Sequence, residues 1–529
     1  MANTLKFGSG NWAAKKDSIL AYNDENSNFK PLPFTTSRAS TATRINKAGL
    51  IEKVENGIAR VDYLGSTKGA MLLEPQSTNL IQYSEAFGQN YWTKSGATIQ
   101  GDLSTAGIEQ VVNGDFSSGA NWTILSGTTI SGGVANINQS GTVQLMYNSL
   151  SVTANTFYKV SFEIKNYVSG TCALSLAGYG FQIAATSNGV FTAYANSFAN
   201  GPLYIYSSSG FVGSLDNVSV KEVSGFASPS AETPLGAFKL VESSANELHR
   251  ILASGFSVTI NTSYTISIIA KSSNRNININ GAFIGANATF DLSNGVIKGV
   301  SNGTAKIELL ANGNYKCSAT GIAPATSTDG FYYQINKTSI GDDTYQGDGT
   351  SGVYIFGSQL EQKSYATSYI PNYGESAGVT RLAESCIQTP ISGIIGQTEG
   401  TVFLESNNLY PSGNRTLGML YTSGSAFYQI YLTPSNQVRV DISGVLLFLS
   451  SSITLNTKNK IAFSYKSGEN VLYINGNQIA VSLNTSIPSS LNNFHLGNFN
   501  GNEQSGSFTN SKLYNTRLSN SELQALTTI

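Results

Sequence analysis

The sequence predicts an all-β chain built from several β-sandwiches, with one sandwich nested inside another. Three observations predict this: short segments in which apolar and polar residues alternate, a near-absence of helix signals, and two phrases that recur in an order tandem copies would not produce. Alternation is plainest where Tyr158, Val160, Phe162 and Ile164 interleave with Lys159, Ser161, Glu163 and Lys165. Side chains on a strand point alternately to its two faces, so this segment has one face for a core and one for water. Tyr264, Ile266, Ile268 and Ala270 repeat the pattern, and Ile461, Phe463 and Tyr465 repeat it again. Leu472-Tyr473-Ile474 runs into Asn475-Gly476, the turn chemistry of a tight hairpin. The best helix signal is at the extreme end, where Ser519 can cap Asn520 to Leu526.

The recurrence sets the organisation. An opening phrase, Phe87…Trp92-Thr93 with Gly96-Ala97-Thr98-Ile99, is echoed by Phe116…Trp122-Thr123 with Gly127-Thr128-Thr129-Ile130. A middle phrase, Ser151-Val152-Thr153-x-Asn155-Thr156-x-Tyr158, is echoed by Ser257-Val258-Thr259-x-Asn261-Thr262-x-Tyr264. Closing phrases follow at Gly213-Ser214-Leu215-Asp216 and Gly357-Ser358-Gln359-Leu360-Glu361. The order is open, open, middle, close, middle, close. One domain inserted in a loop of its sister produces that order, and exposed loops tolerate such insertions. The expected plan is an outer sandwich of 79–104 plus 231–370, an inserted sandwich of 109–224, a linker over 371–397 and a third sandwich over 398–529. Residues 1–78 have many turn signals and little periodicity. They are expected as an extended N-terminal arm that lies along a partner or folds on assembly, because so short a piece makes a poor core by itself.

Composition excludes several functions. Only 12% of residues are charged and the net charge is −1, which leaves no electrostatic footprint for nucleic acid. The cysteines, Cys172, Cys317 and Cys386, are far apart with no CxxC pair, so neither zinc nor a disulfide framework is indicated. Met1 to Ala14 lacks the apolar centre of a signal peptide, and no window approaches the roughly 18 apolar residues of a membrane span. Synthesis in the cytoplasm without a signal peptide, and no membrane insertion, are expected.

Several phrases carry a family resemblance. Ser37-Arg38-Ala39-Ser40, Gly49-Leu50-Ile51-Glu52, Arg60-Val61-Asp62-Tyr63 and Leu73-Glu74-Pro75-Gln76 look like a module of tailed-bacteriophage structural proteins. Gly347-Asp348-Gly349-Thr350-Ser351-Gly352 and Ser364-Tyr365-Ala366-Thr367-Ser368-Tyr369-Ile370-Pro371 extend the likeness, which covers about 37–103 and 231–382. The inserted segment resembles carbohydrate-binding jelly rolls through Asn113-Gly114-Asp115-Phe116, Trp122 and Leu215-Asp216-Asn217-Val218. It departs at Ser117, where many such modules carry an acid. The C-terminal segment is similar to laminin-G and concanavalin A-like sandwiches through Glu399-Gly400-Thr401-Val402 and Leu513-Tyr514-Asn515-Thr516-Arg517-Leu518-Ser519. The resemblance implies a virion fibre, spike or decoration, attached to other virion proteins through its N-terminal region and displaying sandwiches to host surface glycans. It implies a homotrimer as well, which must form through the sandwiches or the N-terminal arm because no heptad run is present.

Candidate chemistry is sparse. The two histidines, His249 and His495, belong to no HExxH or GxSxG arrangement; the first is expected at a surface or strand and the second at a core edge. No carboxylate sits in a catalytic phrase, so the chain is expected not to be an enzyme. For sugars, aromatic rings stack on pyranose faces while amides and hydroxyls meet the sugar hydroxyls. Tyr204 and Tyr206 form one aromatic pair at i, i+2, and Tyr179 and Phe181 another. Such pairs either fill half the core or stack on a glycan. Tyr204 and Tyr206 suit stacking better, because Ile205 already serves the opposite face. Tyr421, Tyr428 and Tyr431 are weaker candidates, and Trp92 and Trp122 read as core. No cofactor is expected beyond a structural calcium at Asp115 and Asp216, which in a jelly roll would staple the domain's ends; the other reading is a turn residue and a surface residue. Two rival readings stand beside glycan display: a virion decoration without ligand, and a polysaccharide depolymerase.

Overall fold

The structure is a computed structural model. It describes residues 5–8, 12–23, 30–101, 107–154, 156–178, 183–197, 199–223, 229–231, 237–336, 344–409, 414–422, 427–455, 457–497 and 506–529. Among these the regular secondary structure is nearly all strand, arranged as β-sandwiches in two compact units: Asn79–Gln362 with Pro371–Val379, and Met1–Thr78 with Lys363–Ile370 and Thr380–Ile529.

The first unit holds both nested sandwiches. Thr93–Ser95 pairs with Arg250–Val258, and Ala97–Gln100 pairs with Phe238–Glu242. The segment before the insertion therefore closes a sandwich with strands that follow it. That outer sandwich consists of two six-stranded sheets around a core containing Phe87, Trp92, Ile266, Phe331 and Tyr333. The recurrent phrases make the same contacts twice. Trp92 Nε1 donates to the Tyr83 carbonyl at 2.9 Å, and Trp122 Nε1 to the Asn113 carbonyl at 2.9 Å. Phe87–Trp92 and Phe116–Trp122 ring centroids both lie 5.0 Å apart. The Tyr264 hydroxyl accepts the Thr259 amide at 3.1 Å, and the Tyr158 hydroxyl the Thr153 amide at 2.9 Å. The phrases recur because each is a small self-satisfying device: a buried aromatic body whose polar tip has a local partner.

The inserted sandwich is hydrogen-bonded as one continuous eight-stranded sheet, folded into two layers, a first and a second sheet, by two long strands, Thr156–Leu176 and Gly201–Glu222, that run through both. In the first sheet they pair with each other, with Val134–Gln139 and with Gly189–Ser197; in the second, with Val143–Val152 and Ile183–Ala185. They bend from one sheet to the other side by side, where Gly170 and Gly210 have φ of 83° and 79°. A Cβ on Gly170 would fall on top of the Gly210 carbonyl oxygen. Gly170→Ala is therefore expected to cost the inserted sandwich at least about 2 kcal/mol, through left-handed strain and displaced backbone. The check is a shift to lower denaturant in protection of 134–222 against hydrogen exchange; an unchanged midpoint would refute it.

In the second unit, Glu399–Leu409 pairs with Asn459–Lys466 on one side and Gly506–Tyr514 on the other. The opposing strands are Arg415–Tyr421, Phe427–Leu432, Gln437–Ile442, Val445–Ser452 and Asn493–Leu496. Asn475 and Gly476, at φ 51° and 82°, make the expected tight hairpin. Ser519 caps Asn520–Thr527 through a reciprocal box with Glu522, as its spacing predicts.

Two expectations need correction here. Residues 1–78 are not a separate arm. Lys30–Ser37 pairs with Ser385–Gln388, while Leu5–Gly8 and Ala70–Leu73 both pair with Gly506–Tyr514. Ile19, Phe34, Val61, Met71 and Leu73 share one core with Val402, Leu404 and Phe463. A segment too short to bury its own apolar residues buries them in a sheet supplied by the far end of the chain. Nor is 371–397 a free linker: Ser385–Gln388 lies between Lys30–Ser37 and Asn493–Leu496, with Cys386 fully buried.

Charged residues of the phrases at 37–40, 60–63 and 73–76 meet in a buried ionic cluster of this second unit. Arg60, with no exposed surface, donates to Glu384 (Nε to Oε1, 2.6 Å), to Glu74 (2.8 Å), to Ser368 Oγ (2.6 Å) and to the Thr43 carbonyl (2.9 Å). Arg38 reaches the same Glu384 oxygen at 2.8 Å, and Arg381 lies 3.6 Å from Glu74. Burial pushes both carboxyls up, but the surrounding guanidiniums outweigh it and hold Glu74 and Glu384 below the usual carboxylate range. Asp62, facing the Ile45 and Leu64 amides nearby, goes the other way: burial pushes it up to about 6.

Candidate functional site

The inserted sandwich presents two outward faces, one on each sheet. On the second sheet, Leu203 and Ile205 are fully buried in the core, so parity turns Tyr204 and Tyr206 outward, each half-buried. Tyr147 on the neighbouring strand stands directly opposite Tyr204. Its ring centroid lies 6.1 Å from that of Tyr204, which lies 6.2 Å from Tyr206. The strand on the other side carries small, buried side chains, Ser175 opposite Tyr204 and Ala173 opposite Tyr206, with the exposed Ala184 beyond. Three half-buried phenols thus border a low shelf that ends at Ala184, with Gln144 opposite Tyr206 at its edge. Burial, and then the neighbouring Tyr204, push the Tyr206 phenol up, so its hydroxyl is neutral at pH 7 and can donate as well as accept.

Tyr179 and Phe181, the other expected aromatic pair, lie outside the described residues. Tyr147 escaped the sequence reading for a physical reason. Strict alternation would turn it inward with Leu145, but a bulge between Gln144 and Met146 buries both Leu145 and Met146 and flips the residues that follow.

The outward face of the first sheet is a groove of about 430 Å³ lined by Thr129, Asn136, Asn138, Asn166, Val212 and Ser214. Asn166 Nδ2 donates to Ser214 Oγ at 3.3 Å, and Ser214 Oγ to Asn136 Oδ1 at 3.1 Å. It is an amide and hydroxyl surface with no aromatic ring along its lining. Further along this face Glu163 and Asp216 are in register, and Lys165 Nζ lies between them at 3.4 and 2.7 Å.

The expected calcium residues each have local partners. Asp115 accepts from the Ser117 amide (3.2 Å) and hydroxyl (3.0 Å), which hold it below the usual carboxylate range. Asp216 accepts from Lys165 and from the Asn217 amide at 2.7 Å. Among the described residues no group of three or more His, Cys, Asp or Glu is arranged to hold a metal. His249, expected at a surface or strand, is a fully buried strand-end residue with its ring nitrogens 2.6 and 3.1 Å from the carbonyls of Gly96 and Tyr345. His495 is buried against Ser385 Oγ at 3.2 Å. Of the weaker aromatic candidates, Tyr428 is core, stacked 4.7 Å from Tyr465; Tyr431 donates to Asp441 at 3.2 Å, and Tyr421 is half-buried. All three cysteines are free and buried, and no described helix is long and apolar enough to cross a membrane.

No family model matches the sequence, and no curated protein matches it. Solved structures do match. A CBM40 domain of the Ruminococcus gnavus IT-sialidase bound to α2,3 sialyllactose matches over 25% of this chain and 84% of its own, at 18% identity and a TM-score of 0.23. Domain 4 of AbnA, a GH43 arabinanase of Geobacillus stearothermophilus, in complex with arabinotriose, matches over 29% of this chain and 78% of its own, at 17% identity and a TM-score of 0.24. A Trypanosoma rangeli sialidase matches over 93% of this chain and 98% of its own, at 11% identity and a TM-score of 0.24. The chain is thus similar to carbohydrate-binding sandwich domains and to sialidases. The last match corrects the expectation of a non-enzyme: the structures matched over nearly the whole chain are enzymes. A likeness at this level assigns the chain no reaction.

Proposed function

We propose that this chain binds glycans through the outward tyrosine face of its inserted sandwich. One observation carries the reading: Tyr147, Tyr204 and Tyr206 stand together, half-buried, on the sheet face opposite the core, with ring centroids 6.1 and 6.2 Å apart. Rings of this kind offer the C–H faces of a pyranose an apolar platform, while the phenol hydroxyls and Gln144 can meet sugar hydroxyls. The bacteriophage-like phrases of 37–103 and 231–382 support a virion setting, in which the chain is a fibre, spike or decoration displaying this face to host surface glycans. A homotrimer would present three copies of the face, and weak single-site binding would then gain by avidity.

The test uses the full chain on a glycan array. Tyr204→Ala with Tyr206→Ala is expected to weaken binding by about 30-fold or more, the effect of losing an aromatic anchor, with the thermal transition unchanged. Binding that survives in this variant would move the site elsewhere, and absence of binding by the native chain at high avidity would favour the ligand-free decoration. Detection of the chain in purified particles checks the virion setting.

A further inference from the structure

The tyrosine face is free of charge. From Phe116 to Tyr158, and again from Asn166 to Leu215, the chain holds no Asp, Glu, Lys, Arg or His. All strands of the second sheet of the inserted sandwich fall within these two stretches. The charges of this sandwich are confined to 109–115, 159–165 and 216–222, which belong to the first sheet and its flank, and carboxylates outnumber lysines among them.

Resting on the glycan-binding reading above, we infer that this face selects neutral glycans and rejects those bearing carboxylate, sulfate or phosphate groups. An anionic sugar docked here would lose hydration with no cation to compensate, a cost that hydroxyls and amides offset only in part. The π-faces of the three tyrosines carry negative potential, which repels an anion but attracts the weakly positive C–H face of a neutral pyranose. The excess of carboxylates elsewhere in the sandwich acts in the same direction. Gln144, opposite Tyr206 in the strand ladder, is the donor-and-acceptor kind of group that suits hydroxyls. Binding of a neutral glycan here is independent of salt, because no ion pair is made.

The experiment measures binding of the full chain to immobilised neutral polysaccharides (a glucan, a galactan and an arabinan) and acidic ones (polysialic acid and polygalacturonate), each at low and high salt. At least one neutral polymer is expected to bind with no salt dependence and to lose binding in Tyr204→Ala. The acidic polymers are expected to bind at least about tenfold more weakly, roughly 1.4 kcal/mol. Ala184→Lys places a cation at an exposed position of the shelf and is expected to raise binding of the acidic polymers at low salt only. Acidic polymers binding as tightly as neutral ones in a Tyr204-dependent way would overturn the inference and leave the glycan-binding reading standing. An unmoved preference in Ala184→Lys would also overturn it. No binding by any polymer would overturn both.

Discussion

Glu384→Gln is expected to destabilise the unit formed by 1–78 and 380–529 by about 3–5 kcal/mol, the range for removing one partner from a buried ion cluster. Glu384 accepts from Arg38 and Arg60 and from the Glu74 amide at 3.0 Å, and its side chain is 3% exposed. Glutamine keeps the shape but leaves two buried guanidiniums without their shared counter-charge. The cluster also joins distant chain: Arg38, Arg60 and Glu74 precede the inserted sandwiches, whereas Ser368, Arg381 and Glu384 follow them. Losing it therefore weakens the seam that closes the second unit after a detour of some three hundred residues. Denaturant titration followed by hydrogen exchange should show 30–73 and 385–514 losing protection together, with 238–361 unchanged. If all regions shift equally, or none does, the seam is not where this unit derives its stability.

The pH dependence of the same unit is expected to be flat between about pH 6.5 and 4.5, then to fall steeply. Two buried groups offset each other in the upper window. Burial pushes the His495 imidazole down to about 4, so the unfolded chain binds more protons between pH 6.5 and 4 and stability falls on acidification, by about 3 kcal/mol. Burial pushes Asp62 up to about 6, so the folded chain binds more protons between pH 6 and 4 and stability rises on acidification by a similar amount. Below about pH 4.5 nothing offsets Glu74 and Glu384: their folded affinities for protons are depressed, their contribution is present above the unfolded value, and it is lost as pH falls. Single variants expose the hidden slopes. His495→Gln should become more stable on going from pH 6 to 4.5, while Asp62→Asn should lose stability over that range faster than the native chain. Parallel profiles for both variants and the native protein would sink this account.

Much of the nesting was legible because it rests on local devices. Each tryptophan takes its carbonyl partner nine residues upstream and each tyrosine hydroxyl an amide five residues upstream, so a phrase carries its own contacts wherever it recurs. That Tyr204 and Tyr206 share a face was legible for the same kind of reason, since a regular strand obeys a period of two; that this face is the outward one is set by the burial of Leu203 and Ile205. Tyr147 was not, because a bulge two residues before it reverses the parity. The Arg and Glu residues of the module phrases stood out as a pattern, but nothing in the pattern said that they meet one another in a core. His249 is similar: its burial comes from Gly96 and Tyr345, far away in sequence.

The sequence by itself determined the all-β class, the order in which one sandwich interrupts another, the capped final helix and that Tyr204 and Tyr206 share one strand face. These follow from neighbouring residues through alternation, turn chemistry and capping. Only the tertiary structure decided that Leu5–Gly8, Lys30–Ser37 and Ala70–Leu73 complete the C-terminal sandwich, that 385–388 is a strand there, and that Arg38, Arg60, Glu74, Arg381 and Glu384 converge. A short strand such as Lys30–Ser37 or Ser385–Gln388 has two sticky edges and an apolar face but no local preference among partners. Its place is set by which distant sheet leaves an edge and a core to fill, a property of the assembled chain rather than of any window within it.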